Sequence, residues 1–156
     1  SRYGAVLASH DDTTLEHVTK ARAMGIALAE FPTTLEAAQA CRDLGIKIIM
    51  GAPNIVRGGS HSGNVSAMEL AEHGLLDIVS SDYVPALLMV SAFRLAALWD
   101  DLPRALRTVT STPAQATGLS DRGRIAQGWL ADMVRIHMHG QTPVARAVWR
   151  GGMQVG

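Results

Sequence analysis

Short apolar runs alternate along the chain with longer stretches in which apolar residues recur every three or four positions. The runs begin at residues 3, 26, 46 and 75 and read YGAVLAS, IALAEF, IKIIM and LLDIVS. Continuous runs of this length are typical of strands buried on both faces, whereas the intervening spacing is that of amphipathic helices. The pattern therefore predicts an α/β fold in which four parallel strands are covered by helices.

Two of the helical stretches are near copies of each other. TTLEHVTKARAMGI begins at Thr13 and TTLEAAQACRDLGI begins at Thr33, and both end in Gly-Ile. We expect each first threonine to cap its helix while Glu16 or Glu36, three residues later, reaches back to the cap amide. A third helix with the same logic is predicted over 64–74.

Two further helices are predicted after the fourth apolar run, over 87–98 and 103–116. The pattern then changes in the last quarter of the chain. From Gly118 onward, turn residues and short β-like runs replace the helical pattern, which predicts strands at 133–136, 144–149 and 153–155. Three short strands hardly make a stable sheet alone, so we expect them to belong to a small β-domain whose other strands come from elsewhere.

Composition narrows the class of protein. The 156 residues are 47% hydrophobic and 18% charged, which is typical of one globular domain. Because 14 basic and 14 acidic residues cancel, no global field favours nucleic acid or an anionic membrane as a partner, and any anion must be held locally. Neither a membrane span nor a leader segment is visible. A single cysteine, Cys41, fits a reducing compartment and is expected on a helix as a small apolar residue, so we predict a cytoplasmic protein.

The candidate residues for metal binding and proton transfer lie where the predicted strands end. Active sites of parallel α/β proteins gather at the carboxyl ends of the strands, and His10 and Asp82 follow the first and last runs. A neutral imidazole there can ligate a metal, and a carboxylate can bind metal or accept a proton from water. Lone residues at strand ends are more often caps or satisfied polar groups, so both interpretations stay open; Asp11 and Asp12 are expected to be caps.

Four segments resemble one known family. They read SHDDTTLEHV, AEFPTTLEAA, GAPNIVRGGSHSGNVSA and GLLDIVSSDYVPALL, and they are similar, in this order, to PhnM-type amidohydrolases of the carbon–phosphorus lyase pathway. The ending, from DRGRIAQGWLADMVRI to VARAVWRGGMQV, resembles the closing β-segment of amidohydrolases in general. The resemblance covers essentially the whole chain.

The resemblance implies a fold and a reaction. Residues 1–117 would form the second half of a (β/α)8 TIM-type barrel, and residues 118–156 would form part of a small composite β-sandwich. The implied enzyme hydrolyses a small phosphorylated sugar phosphonate, α-D-ribose 1-methylphosphonate 5-triphosphate, to the 5-phosphate and pyrophosphate. It would use one or two divalent metal ions, Zn, Mn or Fe.

The same resemblance assigns residues to the metal. His10 would be the strand-end histidine ligand, and Asp82 would both bind metal and take the proton of the attacking water. Where many relatives have a further histidine ligand, this chain has Glu30. Either Glu30 replaces that histidine as a metal ligand, or His10 is the one metal ligand from this half of the barrel, or the strand count is displaced by one.

The segment GAPNIVRGGSHSGN, residues 51–64, is expected to be a glycine-rich loop that binds the polyphosphate. Its backbone amides would approach the phosphates while Arg57 binds their oxygens and His61 donates or shuttles a proton. The further candidate substrate contacts are Gly58, Gly59, Ser60, Asn64 and Tyr83. Two alternatives stay open: an ordinary glycine-rich surface loop, and a role for Asn64 as a helix cap.

One part of the family pattern is absent from the sequence. The paired histidines of the first barrel strand and the bridging carboxylated lysine or glutamate would precede residue 1. We therefore expect the C-terminal half of an enzyme, inactive alone, that forms a homo-oligomer or depends on a missing N-terminal half. The alternatives are a non-catalytic α/β remnant or assembly module, and an amidohydrolase acting on a cyclic amide.

Overall fold

The computed structural model describes residues 4–59 and 63–156. Four parallel strands form one sheet in the order β1-β2-β3-β4, and each predicted apolar run contributes one of them. They are β1 (Ala8–His10), β2 (Leu28–Glu30), β3 (Lys47–Gly51) and β4 (Ile78–Ser80). The parallel α/β prediction is confirmed, although β1, β2 and β4 are shorter than their apolar runs.

Seven helices accompany the strands in the described residues. They are α1 (Leu15–Ala23), α2 (Leu35–Asp43), α3 (Ala52–Arg57), α4 (Ala67–Glu72), α5 (Leu87–Trp99), α6 (Leu102–Arg107) and α7 (Ser111–Ala116). The helix predicted over 87–98 is confirmed. The helix predicted over 103–116 is divided in two, because the carbonyl of Thr108 accepts a hydrogen bond from the backbone amide of Val79 in β4, at 3.0 Å, instead of continuing the helix.

The predicted caps are displaced by one residue or more. The side chains of Thr14 and Thr34, rather than those of Thr13 and Thr33, accept the amide hydrogen bonds at the starts of α1 and α2. Ser66 caps α4, so the prediction that Asn64 caps this helix is wrong. Asp11 and Asp12 cap no helix either: the first pairs with His10, and the second accepts a hydrogen bond from Ser9. In both helices the capped amide, that of His17 or Ala37, lies three residues after the threonine that caps it.

The segment 51–64 is not a continuous loop. Gly51 ends β3, and α3 begins directly after it. Pro53 in the first turn of α3 lacks an amide hydrogen that would be unsatisfied there, and Gly58 ends the helix in the left-handed conformation, with φ of 79°. The expectation of an open glycine-rich loop is therefore wrong for its first half.

The main core lies between the parallel sheet and its helices. Its largest fully buried side chains include Ile46, Ile48, Met50, Leu70 and Leu95. Cys41 of α2 lies in the same core with no exposed surface, as the sequence predicts. Burial raises the pKa of its thiol to about 12, and the nearby carboxylates of Asp12 and Asp77 add to this effect. The thiol is therefore neutral and unreactive at physiological pH.

The last part of the chain forms a second, antiparallel sheet. Its strands are β5 (Met133–His139), β6 (Thr142–Arg150) and β7 (Met153–Gln154), in that order. All three predicted strands are confirmed, with β5 and β6 longer than expected. In the described part of the chain, no helix is long and apolar enough to cross a membrane.

Candidate functional site

His10 lies at the carboxyl end of β1, and the active site is expected at the carboxyl ends of the parallel strands. Its Nδ1 lies 2.8 Å from Oδ2 of Asp11, and more than half of each side chain is exposed. The imidazole ring also lies beside Phe31, with the ring centroids 5.3 Å apart. Because Nδ1 is engaged by a carboxylate, Nε2 is the nitrogen that His10 can offer to a ligand.

Three residues just beyond the strands adopt the left-handed backbone conformation. Asp11 after β1, Phe31 after β2 and Asp82 after β4 have φ of 59°, 56° and 53°. The amides of the first two still bond across the sheet, to the carbonyls of Glu30 and Ile49, at 3.0 Å each. The chain thus turns sharply where strand pairing ends. A bulky residue such as phenylalanine is strained in this conformation, and strain of this kind clusters at functional sites.

Gly51 allows the aspartate of the last strand to approach the sheet. A Cβ placed on Gly51 would lie 2.6 Å from Oδ2 of Asp82 and 3.2 Å from Cε1 of Phe31. A side chain at this position would therefore force the carboxylate of Asp82 to move. The carboxylate is held from the other side by the amide of Tyr83, which donates to its Oδ1 at 2.8 Å. Gly51 and Phe31 thus lie beside Asp82, although no motif in the sequence singles out Phe31.

Glu30 lies beside His10 in the sheet. The two residues are partners in the parallel register of β1 and β2, so their side chains leave the same face of the sheet at adjacent positions. Glu30 is half-buried, whereas Asp82 is exposed and follows β4, two strands further along the sheet. The register therefore makes Glu30 a neighbour of His10 and separates both of them from Asp82.

The end of α3 brings together two of the predicted substrate contacts. The guanidinium carbon of Arg57 lies 5.6 Å from the centroid of the Tyr83 ring, which is 61% exposed. Arg94 of α5 supports this helix end by donating to the carbonyls of Ile55 and Val56. A cation over an aromatic face is attractive, so Arg57 and Tyr83 form one exposed surface beside Asp82.

Asn54 ties the same helix to the next one. Its side-chain oxygen accepts a hydrogen bond of 2.8 Å from the amide of Ala67, at the start of α4. Sequence reasoning missed both Asn54 and Arg94, since their partners are backbone groups far along the chain. The only available signal was that Asn54 lies within the family-like segment.

The remaining predicted residues divide into two groups. Gly58 and Gly59 follow α3, and Asn64 is exposed ahead of α4. Ser60 and His61 lie outside the described residues, as does Ser62.

The donors at this edge fit part of a metal site. Nitrogen and carboxylate oxygen are suitable ligands for Zn, Mn or Fe. Within residues 4–59 and 63–156, however, no three histidine, cysteine, aspartate or glutamate side chains are grouped closely enough to hold an ion. His10, Glu30 and Asp82 therefore do not form such a group by themselves, and a metal ion here would need ligands from other residues.

Comparison with known proteins gives one strong sequence similarity. The chain is 54% identical over 155 residues to the α-D-ribose 1-methylphosphonate 5-triphosphate diphosphatase of Escherichia coli strain K12. The aligned segment covers 96% of this chain and 40% of that protein, so the chain spans about two fifths of the relative's length. No family model matches the chain.

Solved structures share the fold at much lower identity. The β-aspartyl dipeptidase of Fervidobacterium islandicum AW-1 is 18% identical with a TM-score of 0.63, covering 90% of this chain and 43% of that one. The ochratoxinase of A. niger is 16% identical with a TM-score of 0.59, covering 98% and 42%. An amidohydrolase from Thermotoga maritima MSB8 is 17% identical with a TM-score of 0.55, covering 85% and 44%. The chain is therefore similar in sequence to part of the Escherichia coli diphosphatase and similar in fold to these three structures.

Proposed function

We propose that this chain is the C-terminal part of a metal-dependent hydrolase of phosphonate catabolism. In its complete form the enzyme converts α-D-ribose 1-methylphosphonate 5-triphosphate to the 5-phosphate and pyrophosphate. The observation that carries the proposal is the 54% identity to the diphosphatase of Escherichia coli, sustained over 96% of this chain. Because the chain spans 40% of that protein, we assign the activity to the complete protein and little or none to this chain alone.

The reaction adds water across one phosphoanhydride bond. The water oxygen forms a bond to phosphorus, the bond between the α-phosphate and the bridging oxygen of pyrophosphate breaks, and the proton of water must be accepted by a base. One or two divalent ions, Zn, Mn or Fe, would supply the acidity that makes water a nucleophile at neutral pH. The protein must hold the ion, accept the proton and neutralise the phosphates.

In this proposal His10 and Asp82 hold the metal ion, and Asp82 also accepts the proton of water. His10 offers Nε2 as a ligand while Asp11 orients the ring through Nδ1. Asp82 is exposed, has one oxygen fixed by the amide of Tyr83, and has its other oxygen against Gly51. A carboxylate held in this way is suited to bind metal and to take the water proton. Glu30, beside His10, is the third candidate ligand, and the remaining ligands come from the part of the enzyme outside this chain.

Residues at the end of α3 neutralise and bind the phosphates. Arg57 neutralises the phosphate oxygens through charge-assisted hydrogen bonds, and Tyr83 forms the wall beside the sugar. Gly58 and Gly59 let backbone amides come close to the phosphates, and His61 supplies a proton to the leaving pyrophosphate. Ser60 and Asn64 complete the contacts with the substrate.

The parallel sheet also indicates dependence on another polypeptide segment. β1 lies at the edge of the sheet, and Val6 and Leu7 just before it are 43% and 41% exposed. An apolar strand at a sheet edge is a surface for further pairing. We infer that a preceding half-barrel, or a second copy of the chain, covers this edge in the cytoplasmic enzyme.

A chimaeric enzyme tests the proposal. The aligned segment of the Escherichia coli diphosphatase is replaced by this chain, and pyrophosphate release from the triphosphate is measured with and without divalent metal. We expect metal-dependent turnover. Asp82→Asn should reduce kcat by about a hundredfold or more, because general-base and metal contacts act in the transition state. Arg57→Gln should mainly raise KM.

Matched controls separate chemistry from folding. Asp43→Asn changes a carboxylate in α2, away from the carboxyl edge, and should leave turnover unchanged. Circular dichroism and metal content are measured for every variant. A folded chimaera that binds no metal and releases no pyrophosphate would support the alternative of a non-catalytic module.

A further inference from the structure

A polar cavity opens at the amino ends of the parallel strands. It has a volume of about 220 Å³ and lies by Lys47, the first residue of β3, and Asp77, which directly precedes β4. His10, Glu30 and Asp82 lie at or just beyond the carboxyl ends of the strands in the same sheet. The cavity is therefore separate from the candidate active site.

The cavity lining is strongly cationic. Four cationic side chains line it, with Asp77 as its one carboxylate: Arg42, Lys47, Arg104 and Arg107. The whole chain carries a formal net charge of zero, so this excess is local. A concave surface of one sign concentrates counter-ions of the other sign.

Asp77 neutralises only part of this positive charge. Its Oδ2 already accepts a hydrogen bond of 3.0 Å from the amide of Ile48. Its Oδ1 lies 3.8 Å from Nη1 of Arg42 and 3.5 Å from Nζ of Lys47, both beyond the length of a charge-assisted hydrogen bond. One half-engaged carboxylate is thus shared loosely by two cations, and the other two have none.

The two arginines of α6 can donate hydrogen bonds to an anion in the cavity. Arg104 stacks over Trp99, with its guanidinium carbon 4.0 Å from the ring centroid, and the indole is fixed by a hydrogen bond of 3.0 Å to the carbonyl of Ala71. Stacking leaves the edge of a guanidinium able to donate. Arg107 lies three residues further on the same helix face, and among residues 4–59 and 63–156 its side chain has no ion pair or hydrogen bond.

We propose that this cavity binds a small phosphate-type oxyanion, inorganic phosphate or pyrophosphate. A guanidinium group can donate two parallel hydrogen bonds to two oxygens of a phosphate group. The excess positive charge of the cavity favours an anion with more than one negative charge. The volume is below the roughly 300 Å³ at which pockets for drug-sized ligands begin, so a nucleotide is too large. The site does not depend on the metal or on the proposed reaction.

Calorimetric titration of the 156-residue chain with pyrophosphate and, separately, with inorganic phosphate tests the site. The buffer has low ionic strength and contains EDTA, so that no metal at the carboxyl edge can contribute. We expect one site with a dissociation constant below about 1 mM for at least one of the two anions. Arg107→Gln should weaken binding by about tenfold, the effect of losing a charge-assisted hydrogen bond.

The control variant is Arg146→Gln, which removes one positive charge from an exposed position of β6 in the second sheet. It should leave the affinity within about twofold, because screened charges far from a ligand contribute little. A second variant, Arg104→Gln, should weaken binding and change the fluorescence of Trp99, and circular dichroism verifies that each variant folds.

Three outcomes overturn the proposal. These are no binding of either anion by the folded chain, binding that Arg107→Gln leaves unchanged, and equal weakening by Arg107→Gln and Arg146→Gln. Because EDTA is present throughout, none of these outcomes bears on the proposed hydrolase activity.

Discussion

The two sheets of the protein differ in how much they bury. The parallel strands have three to five residues each, yet they lie against a core that includes Ile48 and Leu70, at 0% exposure. The antiparallel strands β5 and β6 have seven and nine residues, and their most buried described hydrophobic side chain is Ala147. Strand length therefore says little about stability here. What distinguishes the sheets is whether helices cover them.

The second sheet leaves apolar surface uncovered. Val134 and Met153 are 49% and 72% exposed, and a cleft of about 790 Å³ runs between β5 and the helices α5 and α7. Most of the lining of that cleft is apolar, including Leu88, Phe93 and Ile125. Exposed apolar surface of this extent is typical of an interaction surface. The contrast predicts that the same kind of substitution has very different effects in the two sheets.

The largest difference is expected for truncation of buried and exposed aliphatic side chains. Leu70→Ala, in the core beneath the parallel sheet, should lower the free energy of unfolding by about 3 kcal/mol or more, since it removes packed methyl groups and leaves a cavity. Val134→Ala in β5 should lower it by less than about 0.5 kcal/mol. Urea unfolding followed by circular dichroism measures both. Similar losses for the two variants would mean that the second sheet is covered in solution by a second copy of the chain.

Much of this contrast was visible in the sequence, because apolar runs and helical periodicity are local signals. They predict the four parallel strands, the three antiparallel strands and the helical position of Cys41. Cap positions, the division of the helix at Thr108 and the start of α3 depend on particular hydrogen bonds and on contacts across the chain. For the same reason the sequence pointed to His10 and Asp82 but not to Phe31, whose role depends on its contacts with His10 and Gly51.

The second largest effect is expected at the carboxyl edge of the parallel sheet. In Gly51→Ala, the new methyl group would meet Asp82 Oδ2 at 2.6 Å, so the carboxylate must move. We expect a loss of about 1–3 kcal/mol, the usual cost of overpacking. Gly59→Ala is the matched control, since no atom of residues 4–59 and 63–156 lies within 4 Å of its added Cβ, and it should change stability by less than about 0.5 kcal/mol.

The helix caps that secure the covering helices should give a smaller effect. The hydroxyl oxygen of Thr34 accepts a hydrogen bond of 3.1 Å from the amide of Ala37, at the start of α2. Thr34→Ala should therefore lower the free energy of unfolding by about 1 kcal/mol. Thr34→Ser keeps the hydroxyl and should restore most of this loss. Equal losses for alanine and serine would show that the methyl group, not the cap, carries the contribution.

The smallest effect concerns the pH dependence of the covered core. Burial raises the pKa of Cys41 to about 12 from an ordinary value near 9.0, so the unfolded chain loses this proton at lower pH than the folded chain. The contribution of the neutral thiol is therefore full below pH 9 and is lost as the pH rises from about 9 towards 12. By pH 9.5 the loss should be below about 1 kcal/mol.

Cys41→Ala isolates this contribution, because other groups also titrate in the same range. The difference in unfolding free energy between the native chain and Cys41→Ala should shrink between pH 8 and 9.5. Val134→Cys in the Cys41→Ala background places a thiol on the second sheet, where the replaced valine is 49% exposed. That thiol should react with a thiol reagent at pH 8 without unfolding, whereas Cys41 should react only after unfolding. Rapid reaction of Cys41 in the folded chain would contradict the contrast between a covered and an uncovered sheet.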